Sequence, residues 1–287
     1  MKYKFIKENH SKFSVKEMCQ ILKVSRSGYY YWCRYSKSKR SIETEYILTN
    51  IRNEYEKSRQ LYGSPKITFE LNKKGIICSR PRVARIMKAN GIKSITKKKF
   101  VITTDSKHKR KVAPNLVNQN FSANVPNQLW LGDITYIKTL NGWLYLATVL
   151  DVFSRKIIGW SMSKSMTRHL VINALKDALN KRSPSENLVF HSDRGSQYAS
   201  DDFVKLLTKN SIIQSMSSSG NCYDNAMMES FFAVLKKELI YLQNYKSIDS
   251  TRLTVFEYIE VFYNRRRIHS GINYNTPIEF ERLWART

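Results

Sequence analysis

The spacing of apolar residues changes between the first and second parts of the chain. From residue 14 to about residue 92, apolar side chains recur every three or four positions, which predicts amphipathic helices. From residue 128, apolar and polar positions alternate in short runs bounded by turn residues, which predicts strands. An all-helical first part is therefore expected to precede a part that contains a sheet.

The helical part predicts two DNA-binding domains. A break at Val24 and Ser25 separates two short helices, which predicts a helix-turn-helix in residues 1–40 with Arg26 facing a DNA groove. Three further helices predict a second helical domain, residues 41–95, and two of them have Pro near the start and Gly at the end. The last helix carries basic residues three apart and therefore on one side, and a solvated basic face is the alternative to DNA contact for them: Arg82, Arg85 and Lys88.

The alternating part predicts a mixed sheet flanked by helices. A turn at 141–143 separates the first two strands. The elements are expected in the order strand, strand, strand, helix, strand, helix, strand, helix, at 128–137, 142–153, 156–163, 167–182, 187–193, 200–210, 211–218 and 224–239. This order is typical of an α/β layer architecture. We assign residues 123–245 to this α/β core and residues 246–287 to a C-terminal helical extension.

The charge of +26 is placed unevenly along the chain. Residues 1–122 hold 29 Lys and Arg against 8 Asp and Glu, whereas residues 123–287 hold 20 against 15. The basic first part predicts a polyanion partner, and nucleic acid is the obvious one. Residues 96–122 read as a basic linker because their lysine runs at 97–99 and 107–111 would repel each other if packed. The linker would lie along a phosphate backbone or act as a solubilising spacer.

Composition also excludes several classes of protein. No apolar run approaches the length of about 20 residues that a membrane helix needs. The four cysteines have no paired spacing, which argues against a disulfide framework or a structural zinc. A cytoplasmic protein associated with the nucleoid is therefore expected.

Three acidic residues from three predicted elements suggest a metal site. Asp133 lies in an otherwise apolar strand, Asp193 follows a strand, and Glu229 lies on a helix 35 intervening residues further on. Carboxylates without a His or Cys cluster favour Mg²⁺ or Mn²⁺, and two such ions would serve phosphodiester cleavage and transesterification. Lys236, two turns after Glu229, projects almost in line with it and would bind phosphate.

Other polar residues around these carboxylates carry weaker signals. His191 would orient substrate or a carboxylate, or serve as a structural histidine. Asp224 and Asn225 precede the Glu229 helix and would shape its entry, with Asp224 favoured as its N-cap. The arginines of the segment YNRRRIHSGINYNTP, residues 263–277, predict a DNA-facing cluster or a surface charge run: Arg265, Arg266 and Arg267.

With these motifs together, the chain resembles an insertion-sequence transposase of the retroviral-integrase (DDE) superfamily, of the OrfB type. The blocks PNQLWLGDITYI, HSDRGSQY and SSSGNCYDNAMMESFFAVLKKE resemble the family's three catalytic blocks, and YNRRRIHSGINYNTP resembles its closing motif. The resemblance implies an RNase H-like fold, a triad of Asp133, Asp193 and Glu229, and a basic partner in Lys236. It also implies an upstream-frame partner, the OrfA product.

The expected function is metal-dependent cleavage at element ends, followed by attack of the exposed 3′-hydroxyl on target DNA within a homo-oligomeric complex. Two alternatives stay open from the sequence. One is an RNase H-like nuclease without strand transfer. The other is a degenerate transposase that acts as a DNA-binding repressor.

Overall fold

The computed structural model describes residues 1–34, 37–96, 112–184, 186–218 and 222–286. The predicted lysine runs of the linker lie outside these ranges. The chain forms two compact units, residues 1–93 and 94–287. Within the described ranges, none of the helices has the length and apolar character needed to cross a bilayer.

The first unit is helical, as its hydrophobic period predicts. Its first half contains α1 (Lys2–Asn9), α2 (Val15–Ile21) and α3 (Arg26–Arg34). Helices α2 and α3 have the predicted helix-turn-helix order, whereas α1 was not predicted. The three helices share a small core of Ile6, Met18, Cys19 and Tyr29.

The second half of this unit contains α4 (Lys39–Lys57), α5 (Ser64–Lys73) and α6 (Arg80–Ala89). The predicted glycine stops are confirmed, since Gly75 and Gly91 have φ of 79° and 67° just beyond α5 and α6. The buried residues of the three helices repeat at helical spacing: Ile47, Ile51, Ile67, Leu71, Val83 and Met87.

The second unit is built on a five-stranded mixed sheet in the order β3-β2-β1-β4-β5. Strands β1 to β3 form antiparallel pairs, and β4 pairs parallel with both β1 and β5. The strands are β1 (Leu129–Thr139), β2 (Gly142–Asp151), β3 (Lys156–Ser163), β4 (Val189–Ser192) and β5 (Ile213–Met216). Each lies within two residues of its predicted position, so the predicted mixed sheet is confirmed.

Helices cover the sheet. They are α7 (Arg168–Lys181), α8 (Asp201–Lys209), α9 (Ala226–Glu238), α10 (Ile248–Phe256), the π-helical Glu257–Tyr263 and α11 (Pro277–Trp284). Trp130, Leu175, Phe190 and Phe203 belong to one core formed by the sheet with α7 and α8. Gly159 allows α7 to approach β3, because a Cβ there would overlap the α7 backbone. Helix α9 packs against β1, which places its side chains beside the central strand.

Candidate active site

Parallel pairing of β1 and β4 brings the two predicted aspartates together. The last pairs of this ladder are Leu131 with His191 and Gly132 with Ser192. Asp133 and Asp193 are the next residue on each strand. Neighbouring strands lie about 4.8 Å apart, so residues that are 60 positions apart in sequence become neighbours at the sheet edge where β4 ends.

Hydrogen bonds to the backbone fix both carboxylates. Asp193 Oδ1 accepts the Gly195 N–H at 2.9 Å in a turn directly after β4. Asp133 Oδ1 accepts the N–H of the following residue, Ile134, at 2.7 Å. Since each carboxylate is held by its own local backbone, the pair is positioned before any ligand arrives.

The charges of Glu229 and Lys236 both influence the pKa of Asp133. Burial, followed by the charge of Asp193, raises the pKa of Asp133 well above its usual value. The charge of Glu229 raises this pKa further, while the Ile134 N–H and the charge of Lys236 lower it. The carboxylates of the predicted triad thus repel each other in one electrostatic neighbourhood.

Helix α9 presents Glu229 and Lys236 on one edge. Its buried side chains are Met228, Phe231, Phe232 and Leu235, whereas Glu229 in the first turn is exposed. Lys236 Nζ lies 5.4 Å from the ring centre of Tyr136 on β1. Burial lowers the pKa of Lys236, and the charge of Asp133 opposes this shift.

Carboxylate oxygens are the donors that hard divalent cations prefer. As they stand, no three His, Cys, Asp or Glu side chains in the described residues form a group that could hold a metal ion. The donor chemistry fits Mg²⁺ or Mn²⁺, because a divalent cation would remove the repulsion that raises the pKa of Asp133. Glu229 is the exposed member, so its side chain would have to turn toward the aspartates.

Tyr198, the last residue of HSDRGSQY, lies beside the two aspartates and was not predicted as part of the site. It is buried, and burial followed by the charges of Asp133 and Asp193 raises its pKa well above the usual value. Its position in the motif was the only signal in the sequence.

His191 links three segments of the fold. It is fully buried; Nδ1 lies 2.8 Å from Ser215 Oγ on β5, and Nε2 lies 2.9 Å from the carbonyl oxygen of Asp224. Burial lowers the pKa of its imidazole. With both ring nitrogens engaged within the protein, His191 takes the structural role that the sequence left open.

The predicted N-cap role of Asp224 is wrong. A 3₁₀ turn at Cys222–Asn225 precedes α9, so Asn225 occupies the N-cap position, without a side-chain capping bond. The Asp224 carboxylate instead accepts from the Ser218 N–H at 2.7 Å and from Asn115 Nδ2 at 2.9 Å. Asn225 is buried, and its Oδ1 has no hydrogen-bond partner among the described residues.

The predicted DNA-facing arginine cluster requires a correction at Arg267. Arg265 and Arg266 are exposed, whereas the Arg267 side chain is about 10% exposed. Arg267 donates two hydrogen bonds of 2.8 Å to Glu238, and Tyr258 donates a third of 2.8 Å to the same carboxylate. We call Glu238, Tyr258 and Arg267 the clamp, because they connect the end of α9 to the closing segment, by which we mean residues 257–277.

The basic residues predicted in the first unit are mostly on its surface. Arg26, at the start of α3, is exposed, as are Arg85 and Lys88 on α6. Arg82 is half-buried and forms an ion pair of 2.6 Å with Glu43 on α4. Exposed ion pairs of this kind contribute little to stability, so this contact does not prevent Arg82 from exchanging its partner for phosphate.

Three family models match the chain. The integrase core domain matches residues 123–222 and again residues 229–283, and an HTH-like domain matches residues 42–100. Together with the mixed sheet and the paired aspartates, these matches define a polynucleotidyl transferase with an RNase H-like α/β fold, preceded by helical DNA-binding units. DNA is its partner.

Two similar proteins from insertion sequences show to which family of polynucleotidyl transferases the chain belongs. The transposase InsF for insertion sequence IS3A of Escherichia coli (strain K12) is 42% identical over 283 residues, which are 98% of each chain. An uncharacterized 31 kDa protein of insertion element IS600 from Shigella sonnei is 42% identical over 263 residues, 92% of this chain and 97% of that protein. The chain belongs to the IS3 family of insertion-sequence transposases and is an OrfB-type DDE transposase.

Solved structures also resemble the chain, at low TM-scores. A simian T-cell lymphotropic virus intasome in complex with PP2A regulatory subunit B56 gamma has a TM-score of 0.47 and 16% identity, covering 80% of this chain and 74% of that one. The HTLV-2 integrase catalytic core domain in complex with magnesium (trimeric form) has a TM-score of 0.43 and 20% identity, covering 56% and 99%. These values are too low for a comparison of sites.

Proposed function

We propose that Asp133, Asp193 and Glu229 are the catalytic triad of this transposase and that they hold Mg²⁺ or Mn²⁺ as a pair of ions. The observation that carries the proposal is the parallel β1–β4 ladder, whose last pair, Gly132 with Ser192, is followed directly by Asp133 and Asp193. The sensitivity of the Asp133 pKa to Glu229 and Lys236 supports including these two residues on α9.

The reaction would consist of two phosphoryl transfers at one site. Water first attacks the phosphodiester at an element end, which frees a 3′-hydroxyl; that hydroxyl then attacks a phosphodiester of the target. In the second step one P–O bond forms as another breaks, so no external energy source is needed. Bound divalent cations would activate the attacking oxygen and stabilise the leaving oxygen.

The residues of this chain would orient the reactants. Asp133 and Asp193 stay fixed by their backbone hydrogen bonds, and exposed Glu229 turns inward to complete the triad. Lys236, anchored against Tyr136, would contact a phosphate next to the scissile one. Buried Asn225 would help to fix the entry to α9, with His191 holding the preceding Asp224 carbonyl.

The helical unit would deliver the DNA. We propose that it reads the terminal repeats of the element, with α3 and its Arg26 in a groove and Arg82, Arg85 and Lys88 of α6 on the backbone. Exposed Arg265 and Arg266 would contact DNA from the second unit. Two ends and a target must be held together, so we propose a homo-oligomer on DNA, assisted by an upstream-frame (OrfA) product, acting at the nucleoid in the cytoplasm.

A strand-transfer assay tests the proposal. Labelled element ends are incubated with target DNA and Mg²⁺, with and without the upstream-frame partner, and wild type is compared with Asp193→Asn. We expect end cleavage and covalent joining by wild type only. Cleavage without joining would favour a nuclease; DNA binding without metal-stimulated cleavage would favour a repressor. Joining by Asp193→Asn at the wild-type rate would exclude the proposed triad.

A further inference from the structure

A small niche lies in the second unit, between α9, the β2–β3 turn and the closing segment. Its volume is about 40 Å³. The side chains that line it include two guanidinium groups, two hydroxyls and an imidazole, which belong to Arg155, Arg267, Ser230, Tyr263 and His269. We call it the arginine niche.

Arg155 is the cation of the niche that lacks an acidic partner. Arg267 is bound by Glu238 in the clamp, whereas no carboxylate in the described part of the chain lies within ion-pair distance of Arg155. The charges of Arg155, Arg267 and Glu238 add up to one surplus positive charge. A singly charged anion would balance it.

Packing fixes the Arg155 side chain. Its backbone is left-handed, with φ of 59°, and its guanidinium lies directly against Gly271, where a Cβ would overlap it. The positive charge of Arg155 also lowers the pKa of the buried Tyr263 hydroxyl, although burial keeps that pKa above its usual value. The guanidinium is therefore held at the wall of the niche and does not extend freely into solvent.

The niche and the proposed catalytic triad lie on different sides of α9. At about 100° per residue, Met227 and Val234 face roughly 140° to 180° away from Glu229 and Lys236, and Ser230 faces roughly 100° to 120° away from them. All three line the niche. An anion held here would be a different group from the reacting phosphodiester.

The dimensions of the niche select the part of a ligand that can enter. A volume of about 40 Å³ holds roughly three water-sized atoms, which accommodates the non-bridging oxygens of a phosphodiester but not a base. Ser230 is exposed, so the niche opens to solvent at α9. Guanidinium groups match the geometry of phosphate oxygens, and a hydroxyl adds a further donor.

We propose that Arg155 and Ser230 bind one backbone phosphate of DNA in the arginine niche, on the side of α9 away from the catalytic carboxylates. This contact positions the duplex without reading its sequence, because only phosphate oxygens enter. It extends the DNA path over the second unit.

The salt dependence of DNA binding tests this proposal. Dissociation constants are measured by fluorescence anisotropy over a range of salt concentrations, in EDTA, for an element-end duplex and a scrambled duplex of equal length. Arg155→Ala should lower the slope of log K against log salt by about 0.9 in magnitude, and weaken both duplexes by about tenfold. Because no metal is present, failure of the proposed catalytic triad would not alter this result.

Three further variants separate charge, position and folding. Gly271→Ala keeps every charge but displaces the Arg155 guanidinium, so it should also weaken binding. Arg155→Lys keeps the charge and should retain the slope. Arg168→Ala is the control for the loss of one arginine from the second unit, because Arg168 does not line the niche, and it should change slope and affinity less than Arg155→Ala. Thermal unfolding of each variant detects loss of the fold; if Arg155→Ala fails to fold, Gly271→Ala decides.

Two results would overturn the proposal. One is an unchanged slope in a folded Arg155→Ala or unchanged affinity in Gly271→Ala. The other is a free-phosphate site, in which inorganic phosphate raises the melting temperature of wild type but not of Arg155→Ala, while DNA binding is equal in both.

Discussion

Helix α9 carries a glutamate near each end, and the two have opposite surroundings. Glu229 in the first turn is exposed and acts on Asp133 by repulsion. Glu238, the last residue, has a side chain only 9% exposed and accepts two hydrogen bonds from Arg267 and one from Tyr258. The two glutamates thus differ in their neighbours. Glu229 is repelled by another carboxylate, whereas Glu238 is bound by a guanidinium group and a hydroxyl.

The difference separates ligand binding from stability. Carboxylates that repel each other at a sheet edge are costly until a cation arrives, whereas a carboxylate with a bidentate arginine has its charge compensated within the fold. Substitutions at the first site should therefore change activity, and substitutions at the clamp should change the free energy of unfolding.

The largest expected effect is on catalysis. Glu229→Gln should reduce strand transfer by about 10³-fold or more, while the free energy of unfolding stays within about 0.5 kcal/mol because the residue is exposed. Single-turnover joining assays and urea unfolding measure the two quantities. A loss of stability as large as the loss of activity would remove the distinction between the two ends of α9.

The next effect concerns the clamp. Glu238→Gln leaves Arg267 buried without a counter-charge and should lower the free energy of unfolding by about 3–5 kcal/mol. Replacing both partners, Glu238→Leu with Arg267→Met, should recover most of this loss because no unpaired charge remains. Urea unfolding compares the single and double variants, and a double variant less stable than the single one would contradict the ion-pair explanation.

Asp151 is intermediate between Glu229 and Glu238, because it is buried but has only backbone hydrogen bonds to its carboxylate. It accepts the N–H groups of Asn127 and Phe153 at 2.9 and 3.0 Å. Burial outweighs these bonds and raises its pKa from 3.8 to about 6. The folded protein therefore binds more protons than the unfolded one between these values, and stability falls as pH rises through them.

The Asp151 carboxyl is expected to lower the free energy of unfolding by about 3 kcal/mol as the pH rises, and this loss is complete above a pH of about 6. Wild type minus Asp151→Asn should show it as a fall in the unfolding free-energy difference between about pH 4 and pH 7, measured by urea titration. A difference that stays flat or rises with pH would show that the hydrogen bonds outweigh burial.

The smallest effect is expected at Lys236. Lys236→Met should weaken DNA binding by about tenfold, because one charge-assisted phosphate contact is lost. Lys176→Met, on exposed α7 surface, is the control for removal of one positive charge. Equal weakening by both variants would mean that Lys236 contributes only to the overall charge.

Much of the second unit could be predicted because its strands alternate and its helices carry clear apolar stripes. The same applies to Asp133, whose position in an apolar strand was a signal in itself, and to Asp193, at the end of another. The pattern could not predict the pairing of β1 with β4, because the paired residues are 60 positions apart and no local sequence signal marks them.

Other features depended on which way a side chain turns. Arg265, Arg266 and Arg267 are consecutive, and the first two are exposed whereas the third is held by Glu238; only the structure distinguishes the buried arginine. Asp224 satisfied the residue preference for an N-cap, but the 3₁₀ turn moved it one position out of the cap. Helix α1 was missed because its apolar residues are few and surrounded by lysines.

The clamp also sets an order of events during synthesis. The clamp joins the end of α9 to Arg267. This residue is synthesised long after the helical unit is complete. At about 5–20 residues per second, the interval between residue 93 and residue 267 lasts roughly 10 to 35 s. During that time the helical unit of the nascent chain is complete, while the end of α9 is not yet bound by Arg267.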